Sequence, residues 1–108
     1  MRKLIVTIAG LTLLAVPGSA TADEVVEGRE LVSTYCSDCH AVGMTDDSLL
    51  PEAPPFRELH LRYDVEFLAE ALVEGIVTAH EEMPEFEFDP AQAQAIIAYL
   101  KSLEPAQP

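Results

Sequence analysis

The chain's only two cysteines stand two residues apart, and a histidine follows the second at once: Cys36-Ser37-Asp38-Cys39-His40. This string constrains the fold because it forces three donor groups onto a turn or two of backbone. Three chemistries use it. Both thiols can bond covalently to a haem while the histidine ligates its iron. The pair can act as a redox dithiol, which usually accompanies a βαβ pattern. Or the three residues can hold zinc, with another histidine as the fourth ligand or with one position left open for catalysis. A plain disulfide across so short a loop is strained and stabilises little. No strand pattern precedes the motif. For an attached haem the spacing has a physical reason: two intervening residues let one turn of chain reach both vinyl groups, and the next residue falls under the metal.

The N-terminus supplies context. Arg2 and Lys3 open an uncharged run from Leu4 to Val16, broken by Pro17-Gly18 and followed by Ala20-Thr21-Ala22. Positive start, apolar run and small-residue cut site before Asp23 form a secretory signal peptide. The run of 13 residues is short of the roughly 20 needed to cross a bilayer. The expected organisation is a cleaved signal over 1–22, one domain over 23–103 and a frayed, proline-containing tail over 104–108, exported to the periplasm.

Charge narrows the function further. Nineteen acidic residues against six basic give a net charge of −13, the opposite of a nucleic-acid-binding face. A hydrophobic content of 49% argues against a disordered chain. Beyond the signal, the only basic residues are Arg29, Arg57, Arg62 and Lys101. A domain this small builds a modest core and must tolerate its own charge repulsion. A metal, cofactor or partner is expected to help hold it together.

Periodicity predicts an all-α chain with no internal repeat. Asp23 to Tyr35 reads as a first helix, with Val25, Leu31, Val32 and Tyr35 on one face and acidic residues at its positive end. Ala41 to Arg62 reads as loop, anchored by Leu49-Leu50 and Phe56. Asp64 to Val77 reads as a second helix, capped by Asp64, with Val65, Leu68, Leu72 and Ile76 on a stripe widened by Phe67 and Ala71. Asp89-Pro90 starts a last helix that runs to Leu103.

An attached haem would ask for a second axial ligand. Met44 is four residues past His40 and stays on the histidine's side. Met83 lies 43 residues on, far enough to reach around a flat cofactor, and Pro84 stiffens the chain beside it. His80 is the next candidate, and His60 reads as a loop or surface histidine.

Four pieces in order resemble the class I c-type cytochromes, particularly the small soluble bacterial monohaem proteins. They are Gly28 to His40 with the C-S-D-C-H string, Ala53-Pro54-Pro55-Phe56, Met83-Pro84-Glu85-Phe86, and Ala95 to Leu103 with Tyr99. The resemblance covers roughly Glu27 to Leu103. It implies the cytochrome c fold: three main helices and long loops around one covalently attached haem c. Cys36 and Cys39 would carry the thioether links, with His40 and Met83 as the iron's axial ligands. Gly28 would let the first helix cross the last against Tyr99. Pro54 or Pro55 would present a carbonyl to His40. Leu49, Phe56, Leu68, Leu72, Phe86, Ile97 and Leu100 would line the pocket. Arg57 and Arg62 are the basic residues of the loop before the second helix; one or both would contact the haem propionates, or else they are solvated charges.

The implied function is one-electron transfer by a monomeric carrier, not an enzyme. The alternatives are a permanent electron-entry subunit of a dehydrogenase or oxidase complex, or a haem-based gas sensor or catalyst with a labile methionine. Many family members present lysines around the haem edge. Here Glu81, Glu82, Glu85, Glu87 and Asp89 surround the methionine, which points to donor and acceptor proteins with basic docking patches and to peripheral contact with membrane complexes.

Overall fold

The computed structural model describes residues 2–7, 9–10, 20–75 and 82–106. Helix α1 spans Ala22–Tyr35, α2 spans Leu68–Glu74 and α3 spans Pro90–Ser102; 3-10 turns occupy Phe56–Leu61 and Val65–Phe67. Among the described residues there is no strand, and the architecture is all-α.

Local chemistry explains each end. Thr21 caps α1, its Oγ1 accepting from the Glu24 amide at 3.1 Å, and Asp23 and Glu24 sit in the first turn, where the helix dipole favours negative charge. Asp89 starts α3 with a capping box: its carboxylate accepts from the Gln92 amide at 2.8 Å, and the Gln92 side chain accepts from the Asp89 amide at 3.1 Å. Pro90 at the first helical position gives up no intrahelical hydrogen bond.

The middle of the chain departs from expectation. The segment read as a single helix over 64–77 is a 3-10 turn followed by seven α-helical residues. Winding at three residues per turn puts Val65 and Leu68 on the core side. It swings Phe67 outward: Val65 is 1% exposed and Phe67 78%. The helix stops at Gly75, whose φ of +106° suits glycine alone. The remaining two residues of the expected helix, Ile76 and Val77, lie outside the described residues. The stretch 41–62, read as loop, ends in the 3-10 turn 56–61, which buries Leu59.

Helix α3 is the centre of the fold. Ala93, Ala95, Ile96, Ile97, Ala98, Tyr99 and Leu100 are all buried. The small residues among them let neighbours approach closely. At Gly28 the approach is closest: a Cβ there would lie 1.9 Å from the Ala95 carbonyl oxygen and 2.8 Å from Tyr99 Cβ. α1 and α3 therefore cross backbone against backbone, which no residue but glycine permits. Val32, Ile96, Tyr99 and Leu100 form the core at this crossing with Leu59, Val65 and Leu72. An exposed ion pair between Lys101 and Glu66 ties the end of α3 to the short turn before α2.

Candidate haem site

The cysteines leave α1 at its C-terminal end. The Cys36 amide makes the last helical bond, to Val32 O at 2.9 Å. The chain then folds back, and the Cys39 and His40 amides both donate to Cys36 O, at 3.2 and 3.0 Å. This turn carries Cys36, Cys39 and His40 on one short arc of backbone. Both cysteines are free thiols and half-buried. Burial pushes the Cys36 thiol up to about 11, so it stays protonated at neutral pH.

His40 is held by the loop that follows. Its Nδ1–H donates to Pro54 O at 2.8 Å. That bond fixes the tautomer, leaves the Nε2 lone pair for a metal and makes it more basic. Of the two prolines offered by the sequence, Pro54 supplies the carbonyl; Pro55 begins the 3-10 turn instead. The Phe56 ring lies 4.8 Å from the His40 ring, and the Phe56 amide donates to Ala41 O at 2.9 Å. The Leu50 amide donates to Cys39 O at 3.1 Å. The Tyr99 hydroxyl donates to Val42 O, which fastens the loop to α3.

Met83 is half-buried on a segment without regular structure. Along Glu85-Phe86-Glu87-Phe88-Asp89, exposed carboxylates alternate with the two less exposed phenylalanines. Phe86 and Phe88 meet the Tyr35 ring edge-to-face at 5.9 and 5.5 Å, and the Phe88 amide donates to Leu72 O at 2.8 Å. The segment carrying the methionine is thereby docked on α2 and on the residue next to Cys36. The period-two alternation was available in the sequence as a signal for this docking.

Other expectations fare differently. Arg57 braces the loop after His40: its Nη1 donates to Asp46 O at 2.7 Å and Gly43 O at 3.4 Å, with the Asp46 carboxylate 3.6 Å away. That carboxylate also accepts from the Val42 and Gly43 amides, so Arg57 and Asp46 together brace the loop after His40. Arg62 is exposed. Leu49, expected to anchor the loop, is 76% exposed, while Phe56, Leu68 and Phe86 pack on the core. His60 lies on the 3-10 turn within the stretch read as loop, half-buried, with its Nδ1 enclosed. His80 lies outside the described residues.

Among the described residues no three His, Cys, Asp or Glu side chains converge to hold a metal ion, so the zinc reading finds no ligand set there. The donor chemistry fits a haem: two unpaired thiols in a fixed turn, and an oriented imidazole with Nε2 uncommitted. The family model for cytochrome c matches residues 25–104.

The chain belongs to the cytochrome c family. Neither curated proteins nor solved structures gave a match. The helical architecture is that of the cytochrome c fold. As a cytochrome c, the chain carries out haem-based electron transfer with a covalently bound haem, and Cys36 and Cys39 are consistent with the family's attachment motif.

Proposed function

We propose that this cytochrome c is a one-electron carrier with a low-spin haem, linked through Cys36 and Cys39 and ligated by His40 and Met83. The observation that carries the reading is the 2.8 Å hydrogen bond from His40 Nδ1 to Pro54 O, which presents Nε2 as a strong, oriented ligand. The haem, when bound, supplies an iron that changes its charge by one electron. The chain does the rest. Two protein ligands leave no site for substrate. The thioether of Met83, a neutral sulfur, favours the reduced state relative to a second histidine. Leu72, Ile97 and Leu100, buried in the core, keep water away and lower the local dielectric.

Residues 1–22 act as the export signal, the carrier comprises 23–103 with the tail 104–108, and it works as a monomer in the periplasm. No described helix is long and apolar enough to cross a membrane. Contact with membrane complexes in this reading is peripheral. Glu85, Glu87 and Asp89, exposed on the methionine segment, steer redox proteins that present basic patches.

Met83→Ala tests the ligand assignment. The variant should keep its covalent haem and show a lower midpoint potential in a potentiometric titration, with a high-spin or differently ligated spectrum. A spectrum and potential identical to the parent's would eliminate Met83 as the ligand.

A further inference from the structure

Tyr35 stands half in solvent where the two ends of the site meet. It closes α1 directly before Cys36, and it is 47% exposed. Its ring meets Phe86 and Phe88 edge-to-face at 5.9 and 5.5 Å, and those two rings stack on each other at 5.8 Å. We propose that the exposed face of Tyr35 is the central contact of the surface on which redox partners dock. The partner that fits it presents an apolar patch rimmed by basic residues. This deepens the carrier reading above and rests on it.

The ring is held in place before any partner arrives. Tyr63 and Phe67 are also exposed, but among the described residues only Tyr35 of the three packs against other rings. A side chain already fixed loses little freedom on binding, and tyrosines anchored this way carry a large share of interface energy. Charge surrounds it. Asp38 is exposed three residues on, and Glu85 and Glu87 are exposed on the segment that supplies Phe86 and Phe88. An apolar centre inside a polar rim is the usual anatomy of a specific interface, and carboxylates in that rim select a basic counterpart. Position suits the reaction. Tyr35 is bonded to Cys36 and touches the segment that carries Met83. A partner seated on the ring therefore stands beside residues that anchor both faces of the haem. One electron passes from carrier to partner, and no bond forms or breaks. Tyr35 is a positioning residue in this step and is not itself oxidised.

The test uses the haem-loaded protein, with a c-type cytochrome that carries lysines around its haem edge as the probe partner. With both proteins reduced, proton NMR should show the Tyr35 ring resonances shifting as probe is added at low salt and returning at high salt. In stopped-flow, Tyr35→Leu should slow electron transfer to the oxidised probe about tenfold. Its midpoint potential and its rate with a small chemical reductant should equal the parent's. Tyr35→Phe keeps the ring and should keep the parent's rate. Unmoved Tyr35 resonances in the parent overturn the proposal without any variant. So does a Tyr35→Leu rate equal to the parent's, and so does a slower rate with a shifted potential, which would make the ring only a clamp on the methionine segment. In each of these cases a salt-dependent parent rate leaves the acidic docking reading standing. A parent rate indifferent to salt overturns that reading, and this proposal with it.

Discussion

Gly28→Ala separates two opposed effects that a helical glycine always carries. Alanine is the better helix former by about 1 kcal/mol, so at an open position the change would stabilise. Here the new methyl would lie 1.9 Å from the Ala95 carbonyl oxygen, 2.6 Å from its carbon and 2.8 Å from Tyr99 Cβ. None of these is the tip of a flexible side chain, and two are α3 backbone. Ordinary contact returns only if the helices part by on the order of 1 Å. Parting them loosens Val32, Ile96 and Tyr99, all buried at the crossing. Overpacking of this kind costs about 1–3 kcal/mol and sometimes more. With backbone as the obstacle the upper end applies, leaving a net loss of about 2 kcal/mol after the propensity gain. For so small a domain that lowers the urea midpoint by about 1–2 M. Equilibrium unfolding of the haem-loaded protein, followed by helical circular dichroism, reads this directly. A midpoint equal to or above the parent's would mean that α1 and α3 do not touch at Gly28, and the reasoning about the crossing would be wrong.

Two further outcomes are expected. Asp89→Ala removes the side-chain half of the capping box on α3, the bond accepted from the Gln92 amide, and should cost about 1 kcal/mol, a melting temperature lower by about 4–8 °C, with Asp89→Asn largely restoring it; no measurable shift in a thermal scan would show that the cap contributes nothing. Electron exchange with a basic redox partner should slow by about tenfold as ionic strength rises from low to physiological, because exposed charges are screened within about 10 Å at 0.1 M; a rate indifferent to salt in stopped-flow would remove the acidic residues from docking.

Much of the site was legible because its chemistry is local. The C-S-D-C-H string, the end of α1 at Tyr35 and the Asp89-Pro90 start of α3 each follow from a few neighbouring residues. Gly28 was legible as a close-approach position through the family resemblance, and the structure supplies its contacts, Ala95 and Tyr99. What was not legible depends on partners distant in the chain or on a change of winding. Phe67 fits a helical stripe until the turn 65–67 tightens to 3-10 geometry and carries it into solvent. Arg57 looks free in sequence, but Asp46 and Gly43 are brought to it by the loop after His40. Pro54 and Pro55 are indistinguishable by composition, and only the reach of His40 Nδ1 separates them. His60 offers no pattern of its own, since enclosure of one ring nitrogen is a tertiary property.

The closed, two-ligand iron is the claim on which the carrier reading depends, and visible spectroscopy of the purified holoprotein tests it most directly. The full precursor, expressed where c-type haem is attached, would be recorded oxidised, reduced, and reduced under carbon monoxide. Sharp low-spin bands, a weak far-red sulfur-to-iron band in the oxidised protein and no response to carbon monoxide are expected of His40 and Met83 ligation. A high-spin spectrum or prompt carbon monoxide binding would contradict it and would place an open, reactive iron at the centre of this fold.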